Sequence, residues 1–220
     1  MKQCQPVEAN PANALLVVVD VQNAFAKAGG RNAARGEVTK AQEEAAAAPI
    51  AAIATLLGGA RDAGVPVVYI QSVRTHREPL IAVFGFPRIL EIGSWDAEII
   101  PEVAPRGCER VVQKFSLDAF HGTRLDEVLR ELVPEPTRHQ TIVTGGAANV
   151  CAWNAVMGFH LRDYWTVVPI DALYGSAEGH DYAVGQFSSP LYPNIFLTTS
   201  QQVTFSSAAM PGVRNLVPNR

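Results

Sequence analysis

Three side chains of this 220-residue chain, Asp20, Lys114 and Cys151, could together carry out covalent acyl transfer. A thiol supplies the nucleophile, a carboxylate the base for its proton, and an ammonium group the electrostatic partner of both. Cys151 follows Thr141-Ile-Val-Thr-Gly-Gly-Ala-Ala-Asn-Val, and a mostly apolar stretch without proline continues through Phe159 and Leu161. The pattern predicts a buried strand, a glycine turn, and a helix that opens at the cysteine with Asn149 as its N-cap. Over the first turn of a helix a sulfur meets free N–H groups and the positive end of the dipole, which favour the thiolate. The plainer reading of Cys151 is a small buried apolar residue, as free cysteines usually are.

The elements that must position these groups alternate along the chain. Ala14-Leu-Leu-Val-Val-Val-Asp20 is a near-continuous apolar run ending in an acid, the mark of a buried parallel strand. In open α/β sheets ligands bind at that C-terminal edge, so Asp20 either caps the next turn or serves as a base. Further strands are predicted at Pro66 to Gln71, Glu109 to Lys114, Gln140 to Thr144, Trp165 to Ile170 and Ile195 to Thr199. A lysine at a strand end is normally solvated, but Lys114 would lie beside Asp20 and Cys151 if their strands are adjacent. Between the first two strands, Lys40 to Ala48 could begin a helix. Pro49 suits a first turn, and Ile50, Ile53, Leu56, Leu57 and Ala60 keep helical spacing to Gly64. Shorter helices are expected from about Arg124 to Leu132 and from Asp181 to Phe187, with a polar loop from Ala172 to Gly179. The alternation predicts an α/β three-layer sandwich: a six-stranded, mostly parallel sheet with helices on both faces. Residues 1–12 read as a mobile N-terminal tail and 13–220 as a single domain. The irregular stretch Ser72 to Pro105, carrying Phe84, Phe86 and Trp95, is long enough to shape a site or an interface.

Composition narrows the function. A net charge of −3 with no basic run argues against nucleic acid as a partner. No apolar run reaches membrane length and no basic-apolar leader opens the chain, so the expectation is no membrane partner and a cytoplasmic protein. Cys4, Cys108 and Cys151 form neither a disulfide framework nor a CxxC pair, which suits a reducing compartment. No GxGxxG follows the first strand, and Walker and G-x-S-x-G sequences are missing. His76, His121, His139, His160 and His180 are scattered without an HxH or HExxH pair, so neither a metal nor a cofactor is expected. His121 and His180 fall in loops at the presumed active edge. Backbone N–H groups around Gly145-Gly146 could receive an oxyanion.

The ordered motifs resemble the isochorismatase-like cysteine hydrolases, the family that includes nicotinamidases, N-carbamoylsarcosine amidohydrolase and biuret hydrolase. The resemblance runs from about Ala14 to Val203. It rests on Leu-Val-Val-Val-Asp20-Val-Gln-Asn-Ala-Phe, on Val-Gln-Lys114-Phe-Ser-Leu-Asp-Ala-Phe-His-Gly-Thr-Arg-Leu, and on Thr-Gly-Gly-Ala-Ala-Asn-Val-Cys151. Asp171-Ala with the later His180 completes the set. It implies Cys151 as nucleophile, Asp20 as general base and acid, and Lys114 as its electrostatic partner. It also implies a cis peptide between Gly146 and Ala147 that aims the Ala147 and Cys151 N–H groups at an oxyanion. Two departures stand out. Ala148 replaces a threonine that usually helps to fix the turn. His76 follows the second strand without the Asp-x-His pair of a nicotinamidase metal site. The expected activity is therefore metal-free cleavage of a C–N bond in a small linear amide, ureide or carbamoyl compound, through a thioester. Nicotinamidase-type hydrolysis, vinyl-ether hydrolysis of the isochorismatase type, and a non-catalytic α/β binding protein stay open. Motif proximity alone places Phe25, Phe120, Asn149, Trp153 and Tyr174 at the pocket wall. The resemblance further implies a homo-dimer or homo-tetramer.

Overall fold

The chain is described by a computed structural model over residues 2–32, 36–75, 89–133 and 135–207. The centre of the sheet is β2 (Ala14–Val19), buried along its whole length. Its Leu15, Val17 and Val19 join one apolar core, while Ala14, Leu16 and Val18 join a second core on the other face. Side chains alternate across a strand, so a continuous apolar run has to be covered on both sides.

The remaining elements, in chain order around that strand, are β1 (Val7–Ala9), α1 (Asn23–Ala26), β3 (Arg31–Asn32), β4 (Gly36–Glu37), α2 (Lys40–Ala63) and β5 (Val67–Ser72). Then come β6 (Arg110–Lys114), α3 (Leu125–Leu132), β7 (Gln140–Gly146), α4 (Cys151–His160) and β8 (Trp165–Pro169). The last are β9 (Leu173–Tyr174), α5 (Ala177–Phe187), β10 (Ile195–Thr198) and β11 (Val203–Phe205). The strands of the main sheet run in the order β10-β8-β7-β2-β5-β6, all parallel, with β9 added alongside β7. Helix α2 covers one face through Ile50, Ile53, Leu56 and Leu57. Helices α3, α4 and α5 supply Leu125, Leu129, Ala155, Phe159, Ala183 and Phe187 to the core of the other face. The three-layer α/β sandwich is as expected, with seven strands in place of six.

From β2 the chain adds β5 and β6 on one side, then returns to add β7, β8 and β10 on the other. The order reverses between β2 and β7, which opens a crevice at their C-terminal ends. There the two backbones approach closely. A Cβ on Gly145, whose φ is +109°, would lie 2.0 Å from the Val19 carbonyl oxygen. Only glycine satisfies both the left-handed backbone and that spacing.

Three expectations need correction. Residues 1–12 do not trail free. The strand β1 is buried and pairs with β11, the Gln5 N–H donates to the Leu197 carbonyl at 3.0 Å, and Lys2 Nζ donates to Ile195 O at 2.7 Å. A three-residue strand is too short to announce itself by periodicity. Pro49 does not open a helix but sits inside α2, which starts at a capping box made by Thr39 and Gln42. The proline forfeits only a bond to the Ala45 carbonyl, at an exposed position where water can satisfy it. Finally, Leu173–Tyr174, read as loop, is the short strand β9. Residues 76–88 of the Ser72 to Pro105 segment, with His76, Phe84 and Phe86, lie outside the described residues.

Candidate active site

Asp20, Lys114 and Cys151 meet at the C-terminal edge of the sheet. Asp20 is the residue after β2, held at φ +51° by its own N–H donating to Ile70 O at 2.9 Å. A left-handed backbone is uncommon outside glycine, though aspartate tolerates it better than most. The carboxylate is thereby turned toward β5 and β6. Lys114 is the last residue of β6 and fully buried, as is Asp20. Its Nζ stands 3.0 Å from Asp20 Oδ2 and 3.2 Å from Cys151 Sγ, and donates to the Ser116 carbonyl at 2.9 Å. Cys151 is the first residue of α4 and 7% exposed, at the edge of the core.

Burial raises a thiol's pKa and lowers an ammonium's, because it penalises the charged form in each case. Here Cys151 is pushed up to about 12, by burial first and then by the Asp20 carboxylate, against the opposing pull of Lys114. Burial and the neighbouring carboxylate thus act against the thiolate that the helix N-terminus alone would favour. Burial also acts to lower Lys114, but Asp20 and then Cys151 overrule it and hold the ammonium above its ordinary value. The site thus holds a carboxylate salt-bridged to an ammonium group that also contacts the thiol.

The turn between β7 and α4 is built on Tyr174. The Gly146–Ala147 peptide is cis. The Ala148 N–H donates to Tyr174 O at 2.8 Å, and β9 pairs with Gly145 and Gly146. A Cβ on Gly146 would come within 2.8 Å of the Tyr174 ring. The Tyr174 hydroxyl in turn donates to the Asp20 main-chain carbonyl. One tyrosine ties the nucleophile turn to the acid, and it fixes the turn where Ala148 leaves no hydroxyl. The Val150 and Ala152 N–H groups both donate to Ala147 O, at 2.9 and 3.2 Å. The Ala147 and Cys151 N–H groups donate to no described residue. Asn149 is not the N-cap. Val150 occupies that position without a side-chain bond, and Asn149 turns toward α5, where a Cβ on Gly179 would lie 2.6 Å from its Oδ1.

The expected pocket residues separate. Phe120 packs edge-on against Phe159 at 5.0 Å between ring centroids, with the Arg162 guanidinium 3.7 Å from its own centroid. Phe120 is buried and belongs to the apolar core that α4 covers. Trp153 also packs against that core, its indole N–H buried and without a hydrogen-bond partner among the described residues. Tyr174 is buried in the support just described. Phe25, on α1 just past the Asp20 edge, is half-buried against the α2 side. Of the two loop histidines, His180 spends its Nε2 on the Ile170 carbonyl at 2.8 Å, and His121 is exposed. Among the described residues no three His, Cys, Asp or Glu side chains gather as metal ligands. Two residues of the site, Gln22 and Ser72, were given no role from the sequence, although Gln22 lies inside the motif around Asp20 and Ser72 directly follows the second predicted strand. The Ser72 hydroxyl donates to Asp20 Oδ2 at 3.0 Å, and Gln22 Oε1 accepts from the Ser72 N–H at 2.8 Å.

The chain is 30% identical over 192 residues to ureidoacrylate amidohydrolase RutB of Methylobacterium radiotolerans, covering 77% of this chain and 70% of that protein. The fold is shared with N-carbamoylsarcosine amidase from Thermoplasma acidophilum, at a TM-score of 0.65 and 23% identity over 86% of this chain and 96% of that one. It is shared too with a cysteine hydrolase from Pseudomonas syringae pv. phaseolicola, at 0.69 and 24% over 91% and 95%. With residues 14–201 matching the isochorismatase domain from the central strand through the end of the sheet, the chain belongs to the isochorismatase family.

Proposed function

We propose that the protein is a cysteine-dependent amidohydrolase that cleaves a C–N bond in a small linear amide, ureide or carbamoyl compound. The observation that carries this reading is the single ammonium group set within 3.2 Å of the thiol and 3.0 Å of the carboxylate. Burial and the Asp20 carboxylate raise the thiol's pKa, so Asp20 takes its proton as the sulfur attacks the carbonyl carbon. The oxygen of the tetrahedral intermediate lies at the unengaged Ala147 and Cys151 N–H groups, and Lys114 keeps the site's negative charge balanced. As the C–N bond breaks, Asp20 returns the proton to the leaving nitrogen. Water then attacks the thioester with Asp20 again as base, the C–S bond breaks, and the thiol regains its proton.

The substrate class takes support from the relatives, a ureidoacrylate amidohydrolase and an N-carbamoylsarcosine amidase. Phe25, Asn149 and Trp153 keep a proposed part in lining the approach. Neither a metal nor another cofactor enters these steps. Three free cysteines support a reducing, cytoplasmic setting, and no described helix is long and apolar enough to cross a membrane. A homo-dimer or homo-tetramer of single-domain subunits completes the reading, for light scattering to check.

The test is ammonia release from a panel of ureido acids, N-carbamoyl amino acids and simple amides by wild type and Cys151→Ala. Turnover by the wild type and its loss by about 10³-fold or more in the variant is expected for a covalent nucleophile. Turnover retained in the variant removes the thiol from the mechanism.

A further inference from the structure

Lys114 and Asp20 come from strands that do not touch, because β5 stands between β2 and β6. The last residue of that intervening strand is Ser72, buried and opposite Lys114 in the register. We propose that Ser72 is the positioning residue of the Asp20 carboxylate, fixing the direction from which the carboxylate receives the thiol proton. The proposal rests on the amidohydrolase reading of the site and adds a residue to it.

Ser72 grips both oxygens of the carboxylate. Its N–H donates to Asp20 Oδ1 at 2.9 Å and its hydroxyl to Oδ2 at 3.0 Å. An ionised carboxylate can only accept, so the direction of both bonds is settled. A carboxylate offers about four acceptor directions. The Ser72 N–H, the Ser72 hydroxyl and Lys114 Nζ occupy three of them. What remains is a single direction, and that is what a base needs to receive a proton along a fixed line. Lys114 alone could not impose this, since the terminal torsion of an aspartate is broad and one point charge does not choose its value.

The serine is itself held. Gln22 is fully buried, and its Nε2 donates to the Ser72 carbonyl and to Ala97 O, both at 2.8 Å. Its Oε1 accepts from the Ser72 N–H at 2.8 Å. One side chain thus clamps the main chain of Ser72 on both sides, which places the hydroxyl on a rigid strand end. Among the described residues the titratable groups that bear on Asp20 are Lys114 from β6, Cys151 from α4 and Tyr174 from β9. None of them contacts Oδ1 and Oδ2 together as Ser72 does.

The experiment compares wild type, Ser72→Ala and Ser72→Thr by steady-state kinetics on whichever amide the wild type turns over. A second readout is the rate of Cys151 alkylation by iodoacetamide as a function of pH, followed by intact mass. In Ser72→Ala, kcat is expected to fall by about tenfold or more, with KM within about twofold, the size of one lost hydrogen bond to a charge. The acid limb of both pH profiles moves to higher pH, because the carboxylate has lost a donor. Ser72→Thr, which keeps the hydroxyl, recovers most of kcat. Wild-type kcat and an unmoved acid limb in Ser72→Ala overturn the proposal whatever happens to the melting temperature, as does a loss confined to KM. If Ser72→Ala does not fold, Ser72→Cys, close in shape and a weak donor, is read by the same criteria. A wild type that turns over no amide defeats the amidohydrolase reading instead, and the alkylation profiles then still decide the role of Ser72.

Discussion

Lys114 Nζ lies 3.0 Å from Asp20 Oδ2 although a whole strand separates the two backbones. Both groups are buried, and a buried pair is costly to break because the surviving charge has no water to turn to. Lys114→Met should therefore abolish turnover and destabilise the protein by about 3–5 kcal/mol. The double variant Asp20→Asn/Lys114→Met should regain most of the stability and none of the activity. Urea denaturation of the wild type, Lys114→Met and the double variant checks this. Equal stability of the single and double variants would show that the pair is not what holds the edge together.

Tyr174 joins the acid to the nucleophile turn through its hydroxyl on the Asp20 carbonyl and its own carbonyl on the Ala148 N–H. Tyr174→Phe removes the first link and leaves the second. The expected cost to stability is about 1 kcal/mol, the net worth of an ordinary hydrogen bond. Turnover should fall severalfold with KM little changed, because the Asp20 backbone, held at a positive φ, loses one of its fixings. Unaltered kcat in a variant of reduced stability would confine the tyrosine to a packing role.

The thiol and the ammonium both bind their protons more tightly in the folded protein. Cys151 rises from 9.0 to about 12, through burial first and the Asp20 charge second. Lys114 is held above 10.5 by Asp20 and Cys151 against the effect of burial. For a group whose folded pKa lies above its unfolded one, the stabilisation is whole below the unfolded value and is lost as pH climbs toward the folded value. Stability should thus decline from pH 9 upward. The decline between pH 9 and 12 should be shallower in Cys151→Ala, which has no thiol to deprotonate on unfolding. Parallel pH dependences of the unfolding free energy for the two proteins would contradict this.

The parts of this site were legible because each sits at a change of pattern. Asp20 ends an apolar run, Lys114 ends the Glu109-Arg-Val-Val-Gln stretch, and Cys151 follows a glycine turn into a helix. Element periodicity fixes which edge of a parallel sheet such residues reach, so their convergence could be argued before any contact was seen. Strands of two or three residues carry no such periodicity, and β1, β9 and β11 exist only because neighbouring strands offer them hydrogen bonds. The aromatic side chains were the weakest inference. Phe120 and Tyr174 lie close to the motifs in sequence but point into packing, which proximity along a chain does not decide.

By itself the sequence determined the α/β architecture, the glycine turn and the strand-end positions of the three candidate groups, since these follow from local alternation and residue type. Only the tertiary structure decided that β5 separates the acid from the lysine, that Ser72 and Gln22 fill the gap, and that burial works against the thiolate. Those outcomes depend on strand order and on the exclusion of water, and both are properties of the packed sheet that no stretch of chain possesses alone.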